Sequence, residues 1–300
     1  MKMEYTANSV FDILKAYIGN NSYTTKTEFI DFCSTNHPGL TPEQIRKFLT
    51  TLEKRFAILF DPDGRLYLTT IYQKEYQIAC KLHELLDGSP TSVVKVEEHS
   101  INGLELSEEQ NEAIKVAEAN YLSLVLGHTG SGRATLLRAL IASHHTPPHF
   151  LICAPDAKTA DDFSTRIGRP VEELDIALEL KIPEPCIARD WSFTEYVIVW
   201  DAQRMNLDQF ITLLERRNPR TRIVLFGDTN DLQCDTPGNI LPDLEEIGIP
   251  TTRLLGNYSF ILHPTALTQN IGSFENISFS KDFDYDTSFM FVDRPDGEAL

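Results

Sequence analysis

The sequence predicts an α/β protein in which a parallel sheet is covered by helices, preceded by a small, mainly helical domain. Three observations carry this. From Leu106 onward, short continuous apolar runs alternate with helix-length stretches. Such runs are strands buried on both faces, and helices between them make the strands parallel. Before residue 88 helical periodicity dominates, and Ser89-Pro90-Thr91-Ser92 opens a linker between the two regions. The expected organisation is a helical domain over 1–88, a linker over 89–105 and an α/β domain over 106–300.

In the N-terminal domain, Val10, Ile13, Leu14 and Tyr17 fall at helical spacing, and a second short helix lies around Phe29–Cys33. Thr41-Pro42-Glu43-Gln44 opens the third: a Thr cap, Pro at the first helical position, and Ile45, Phe48, Leu49 and Leu52 on one face. Ala57–Phe60, the turn Asp61-Pro62-Asp63-Gly64 and Leu66–Leu68 read as a hairpin, and a helix from about Ile71 to Leu86 follows. Three helices and a hairpin are the order of a winged helix. Such modules bind DNA or serve as protein contacts, and Arg46, Lys47, Lys54 and Arg55 place positive charge on the third helix. The linker carries one expected strand, Val93–Val96. Beyond it, strands are expected at Leu122–Leu126, Phe150–Ala154, Tyr196–Trp200, Ile223–Phe226 and Phe289–Val292, with helices near 108–119, 133–143, 157–167, 207–217 and 240–247.

Charge narrows the function. The 300 residues carry a net charge of −17, with 42% apolar and 24% charged residues. Residues 1–100 hold 11 Lys/Arg against 13 Asp/Glu, and residues 101–300 hold 16 against 31. A protein that grips nucleic acid needs a basic footprint for its phosphates. The C-terminal two-thirds lacks one in bulk, so DNA binding falls to the N-terminal module and is not favoured by net charge. No apolar run approaches the roughly 18 residues that span a bilayer, and the N-terminus lacks signal-peptide order. Five scattered cysteines, Cys33, Cys80, Cys153, Cys186 and Cys234, form no C-x-x-C pair and read as reduced thiols of a cytoplasmic protein. His144, His145 and His149 read as loop histidines rather than metal ligands.

The chemistry-bearing motifs fall after the strands, where open α/β sheets bind ligands. Gly127-His128-Thr129-Gly130-Ser131-Gly132-Arg133-Ala134 has the spacing of a phosphate-binding P-loop, G-x-x-x-x-G-K-[ST]. Its glycines permit backbone N–H groups to curl round a phosphate at a helix N-terminus. The lysine position is Arg133, and the Mg²⁺-ligating hydroxyl position is Ala134. Val197-Ile198-Val199-Trp200-Asp201 is the strand that normally ends in two acids, which hold the metal and activate water. Here Trp200 stands at the first acid and Asp201 at the second. Both halves of the metal site are altered, so little or no ATP hydrolysis is expected.

Together these motifs resemble the first motor domain of RecD-like superfamily 1 DNA helicases, the exodeoxyribonuclease V alpha-subunit family. Leu106-Ser107-Glu108-Glu109-Gln110 resembles the family's LSxEQ opening, which implies an adenine-reading role for Gln110. Ala154–Ala160 resembles a segment that contacts single-stranded DNA. Gly227-Asp228-Thr229-Asn230-Asp231-Leu232 resembles GDxxQL, with Asp231 at the phosphate-sensing glutamine, and Ser259-Phe260 stands at an Arg-Gln pair. The resemblance implies a RecA-like P-loop fold and vestigial nucleotide contacts from Gln110, Gly127, Gly130, Gly132, Arg133 and Asp228. It also implies a second motor domain, which the chain is expected to lack. No catalytic position is intact at Arg133, Ala134, Trp200, Asp201, Asp231 or Ser259. The expectation is a pseudo-ATPase serving as a binding or regulatory subunit with a protein partner, in DNA repair, recombination or replication. No cofactor or metal is expected, with ATP or ADP on the loop only without productive Mg²⁺. The alternative is a divergent ATP-binding helicase subunit whose partner supplies the second motor domain. In a third reading the N-terminal module binds DNA while the acidic core recruits proteins.

Overall fold

The structure, a computed structural model, describes residues 5–86, 100–101, 104–143, 149–181 and 190–258. The expected strands at Val93–Val96 and Phe289–Val292 lie outside these residues, as do His144, His145, Cys186 and Ser259.

The N-terminal region runs α1 (Ala7–Ile18), β1 (Tyr23–Thr25), α2 (Lys26–Asn36), α3 (Pro42–Lys54), β2 (Ile58–Phe60), β3 (Arg65–Leu68) and α4 (Thr69–Leu86). Reciprocal capping boxes start the first three helices, at Thr6 with Ser9, Thr25 with Glu28 and Thr41 with Gln44. Each satisfies two otherwise unpaired N–H groups and fixes where the helix begins. Strand β1 has no signature in the sequence, because three residues between two helices carry no periodicity. It pairs antiparallel with β3, which gives a three-stranded sheet in the order β1-β3-β2.

A short antiparallel pair, β4 (Ser100–Ile101) and β5 (Leu104–Glu105), precedes the α/β region. There follow α5 (Glu108–Ala119), β6 (Leu122–Gly127), α6 (Arg133–Ala142), β7 (His149–Ala154), α7 (Ala157–Ile167), β8 (Glu172–Glu173) and α8 (Leu174–Ala177). Then come β9 (Thr194–Val199), a 3₁₀ turn (Ala202–Arg204), α9 (Leu207–Arg216), β10 (Arg222–Gly227), α10 (Ile240–Glu246) and β11 (Thr251–Leu254). Strands β6 to β11 form one six-stranded sheet, order β11-β6-β10-β9-β7-β8, and each of its pairings is parallel. Strand β11 goes beyond the sequence expectation: at the sheet edge it needs no continuous apolar run, and only Thr252 and Leu254 are buried. Strand β9 ends at Val199, so Trp200 sits just beyond it rather than as its last residue.

Alternation along the strands divides the core into two layers. Val125, Ile198 and Phe226 face the layer containing Ala134, Leu137, Phe163 and Trp200. Leu124, Leu126, Val197 and Val199 face a layer with Phe210 and Leu241 that is continuous with the N-terminal core of Leu14, Phe29 and Leu49. Helix α4 lies along α9, where Lys74 pairs with Asp208 (2.6 Å), Lys81 with Glu215 (3.3 Å), and Gln77 Nε2 donates to Glu215 (2.9 Å).

Two carboxyls, Glu75 on α4 and Asp243 on α10, predict a pH-dependent folding stability. Burial raises the Glu75 carboxyl above its ordinary range, helped by nearby Asp243 and opposed by a Ser22 hydrogen bond. Burial likewise raises Asp243, helped by Glu246 and opposed by the Asn239 backbone. A raised folded-state pKa contributes stability that is complete below the unfolded value and lost as pH rises through the folded one. Glu75→Gln is therefore expected to raise the melting temperature at pH 8, with the gain vanishing as pH falls below 4.5, the ordinary glutamate value. Equal gains at both pH values would contradict this.

Candidate nucleotide-binding site

The carboxyl ends of β6, β9 and β10 bring the motif residues together. The loop from Gly127 leads into α6, with Gly130 at φ +90° and Gly132 at φ +88°. A side chain on Gly132 is excluded twice, because its Cβ would lie 2.5 Å from Gln110 Nε2 and 3.1 Å from the Tyr258 ring. On Gly127 a Cβ would meet Ser131 Oγ at 2.4 Å and Leu254 at 3.1 Å. The glycines are thus required by the packing of the loop itself. Gly132→Ala is expected to destabilise by about 1–3 kcal/mol, from a left-handed backbone position and a steric collision. Urea unfolding monitored by circular dichroism measures it; a change under a few tenths of a kcal/mol would contradict the assignment.

Gln110 is buried against this loop. Its Oε1 accepts from Ser107 N–H (3.0 Å), closing the α5 capping box, and its Nε2 donates to Gly132 O (3.3 Å). Both ends of the amide are engaged within the protein. Tyr258 covers the same glycines, its N–H donating to Gly130 O (2.9 Å).

Arg133, the first residue of α6, is 7% exposed. Its guanidinium carbon lies 4.8 Å from the centre of the Trp200 ring, and Nη1 is 3.4 Å from Asp201 Oδ1. Burial pulls the Arg133 pKa down, and the negative charges of Asp201, Asp228 and Asp231 push it back up. Burial also raises Asp201, with Arg133 opposing. Arginine stays protonated in proteins, so the pair is a buried cation held by a ring face and a carboxylate. Asp201 adopts φ +52°, a left-handed conformation in which aspartate is among the better-tolerated residues.

Trp200 is 5% exposed and forms part of the core. It stacks on Phe163 (centroids 3.8 Å apart, planes at 17°) and on Phe226 (5.7 Å, 28°). Ala134 belongs to the same apolar layer. The positions where a P-loop protein keeps a hydroxyl and a first acid are both built into hydrophobic packing. Hard divalent cations take oxygen ligands; the carboxylates at the cleft are Asp201, already beside a guanidinium, and Asp231, which accepts from Gln203.

Asp228 and Asp231 meet this pair through Gln203. The Asp228 N–H donates to Gln203 Oε1 (3.3 Å), and Gln203 Nε2 donates to Asp231 Oδ2 (3.4 Å). Arg133, Arg166, Trp200, Asp201 and Asp231, with the loop from His128, enclose a cleft of about 100 Å³. Sites for drug-sized ligands run to roughly 300–1,000 Å³.

Gly127, Gly130, Gly132, Arg133, Ala134, Trp200, Asp201, Asp228, Asp231 and Gln110 therefore converge on one place. Sequence reasoning assigns no role to Gln203, Tyr258 or Arg166. The first two lie inside segments whose motifs are recognisable, so position offers a cue; nothing local marks Arg166. The Ala154–Ala160 segment runs from the last residue of β7 into the first turn of α7, where Asp156 caps the helix by accepting from Thr159 N–H (2.9 Å). Arg204 pairs with Asp156 at 2.7 Å, and the Thr159 bonds and Arg204 hold that carboxyl below its ordinary range.

Residues 105–260 match the AAA domain family. The chain belongs to that family. The helicase resemblance also stands: the RecBCD enzyme subunit RecD of Mycolicibacterium smegmatis is 24% identical over 209 residues, which is 60% of this chain and 37% of that protein. This α/β region is thus a RecD-like, helicase-related motor domain, and the chain spans little more than a third of that relative. Among solved structures, the Pif1 helicase from Candida albicans is similar at 18% identity, covering 52% of this chain and 41% of its own, with a TM-score of 0.39. The Pif1 helicase from Bacteroides is similar at 14% identity over 52% and 43%, with a TM-score of 0.37. No described helix is long and apolar enough to cross a membrane, and no cluster of metal-ligating side chains occurs among the described residues.

Proposed function

We propose that this protein is a non-catalytic member of the helicase-related ATPases, a binding or regulatory subunit rather than a motor. The observation that carries the reading is Arg133, laid on Trp200 and paired with Asp201 inside the loop that would otherwise take phosphates. This arrangement does not fit a Mg²⁺-nucleotide complex. The metal-ligand positions are Ala134 and Trp200, the adjoining Asp201 has a cationic neighbour, and the cleft is small for a nucleoside triphosphate. With no ion to offset charge on the transferring phosphoryl group, most of the electrostatic stabilisation of that chemistry is missing. Phosphate release from purified protein, with Mg²⁺ and with or without single-stranded DNA, is expected at background. Turnover abolished by Asp201→Ala would overturn the proposal.

The relative named above is a subunit of a larger enzyme, which supports a setting for this chain in a protein assembly, in repair, recombination or replication. Intact Gly130 and Gly132 geometry favours one other reading: a nucleotide-binding subunit completed by a partner's second motor domain. Binding of ADP by the isolated chain separates the two.

We read the N-terminal unit as a winged helix on the strength of its three helices and β1-β3-β2 sheet. Arg46, Lys47 and Lys54 are exposed on α3, but Glu43 shares the helix and the whole region is nearly neutral. A protein contact is the favoured role. Arg46→Glu/Lys47→Glu is accordingly expected to leave retention on duplex DNA at 50 mM salt unchanged. A fall of tenfold or more, steeper at low salt, would assign the helix to DNA instead.

A further inference from the structure

We propose that the N-terminal unit is a clamp on the loop between β10 and α10, holding that loop against the cleft described above. The loop, residues 228–239, has no regular structure and is tethered at its two ends. At the cleft end Gln203 holds it three times: through Asp228 N–H, through Asp231, and by accepting Cys234 N–H on its backbone oxygen (3.1 Å). At the far end Gly238 N–H donates to Asn20 O (3.2 Å), in the turn between α1 and β1 of the N-terminal unit. Gly238 has φ +111°, and a Cβ there would lie 2.6 Å from Leu207 Cδ2. The loop therefore rests directly on the first residue of α9.

Helix α9 is in turn the helix that α4 grips, through Lys74–Asp208 at its first turn and Lys81–Glu215 at its last. Of the two supports of the far end, Asn20 belongs to the N-terminal unit, and Leu207 belongs to the helix on which that unit docks. Between the tethers the loop is thinly held: Leu232 is 83% exposed, and the remaining bonds of Asn230, Leu232 and Gln233 are local. Gln203 alone leaves the loop one anchor, since its side chain and backbone act from a single residue. Undocking the N-terminal unit removes the Asn20 anchor and leaves the loop to Gln203 and the contact with Leu207, a weaker hold on Asp231 at the cleft. Release by a partner that competes for the α4 face would make the cleft responsive to assembly. That consequence rests on the closed-cleft reading above; the clamp itself does not.

Cys234 lies in the loop and is partly exposed, with its Sγ 3.1 Å from Thr236 Oγ1. Its reaction with a disulfide reagent reports loop opening in the full chain, after Cys80→Ser and Cys186→Ser remove competing thiols. Cys33 and Cys153 are fully buried and react last. Lys74→Glu/Lys81→Glu places like charges against Asp208 and Glu215. The expected result is at least a tenfold faster reaction at Cys234, reversed when Asp208→Lys/Glu215→Lys restores the pairs. A rate within twofold of the parent, in a variant whose circular dichroism is native and whose α4 has become protease-sensitive, overturns the clamp. If the charge-reversed chain does not fold, hydrogen exchange of the parent decides. The Gly238 amide must then open with the same free energy as the α4–α9 contact, and faster independent exchange overturns the proposal. Neither readout involves nucleotide, so failure of the clamp is distinguishable from failure of the non-catalytic reading.

Discussion

Trp200→Asp is expected to unfold much of the protein at ambient temperature rather than to restore a metal site. The substitution returns the acid that a P-loop ATPase carries at this position. In this chain it also removes an indole stacked between Phe163 and Phe226 and leaves a carboxylate in the apolar layer that contains Ala134. Truncating a buried tryptophan costs about 3–5 kcal/mol, and the carboxylate is buried in the apolar layer with a desolvation cost that the neighbouring Arg133 offsets only in part. Domains of this kind have a total stability of roughly 5–15 kcal/mol. The expected loss is therefore visible in both the melting temperature and the urea midpoint. A folded Trp200→Asp protein that gains millimolar-or-better Mg²⁺ affinity would mean that the pocket is a dormant metal site and not core.

The second large effect concerns the ion pair. Asp201→Ala leaves the Arg133 guanidinium 7% exposed with its nearest carboxylate gone. Breaking a buried pair by removing one partner costs about 3–5 kcal/mol. The 3.4 Å separation and the 22% exposure of Asp201 place this pair at the low end, at about 3 kcal/mol. Arg133→Met should cost less, because its stem still covers Trp200 and Asp201 keeps access to water. The loss in the double variant should then lie above that of Arg133→Met alone only by the backbone strain of alanine at φ +52°, since Asp201→Ala no longer strands a charge. Chemical denaturation of the four proteins measures this cycle. Additive losses would show that the two side chains do not act as a pair.

Both effects turn on residues that motif spacing alone singles out. The strands and helices of the motor domain are legible in the sequence because buried parallel strands are continuous apolar runs and the helices between them carry their own caps and periodicity. Where the pattern is weak, legibility ends. Three-residue β1 and edge strand β11 are fixed by their partners, β3 and β6, and not by their own composition. At the site, spacing locates Arg133, Ala134, Trp200 and Asp201. That they form one packed unit, with Trp200 as both core residue and platform for the guanidinium, depends on Phe163 and Phe226, which are distant in sequence. Gln203, Tyr258 and Arg166 reach the loop through turns and helix ends whose geometry no local pattern encodes. The same holds for the junction with the N-terminal unit. Lys74 and Lys81 share one face of α4, but only folding puts Asp208 and Glu215 opposite them.

The central claim, that the loop has exchanged a Mg²⁺-nucleotide site for internal packing, is tested most directly by nucleotide-dependent thermal stability of the full chain. A ligand that binds only the native state stabilises it by about 2.7 kcal/mol at a hundred times its dissociation constant, which moves the melting temperature of a domain this size by several degrees. The prediction is no shift beyond about 1 °C, small against that scale, with ATP or ADP at millimolar concentration, with or without Mg²⁺. A dose-dependent, Mg²⁺-dependent rise of several degrees that Arg133→Ala abolishes would contradict it.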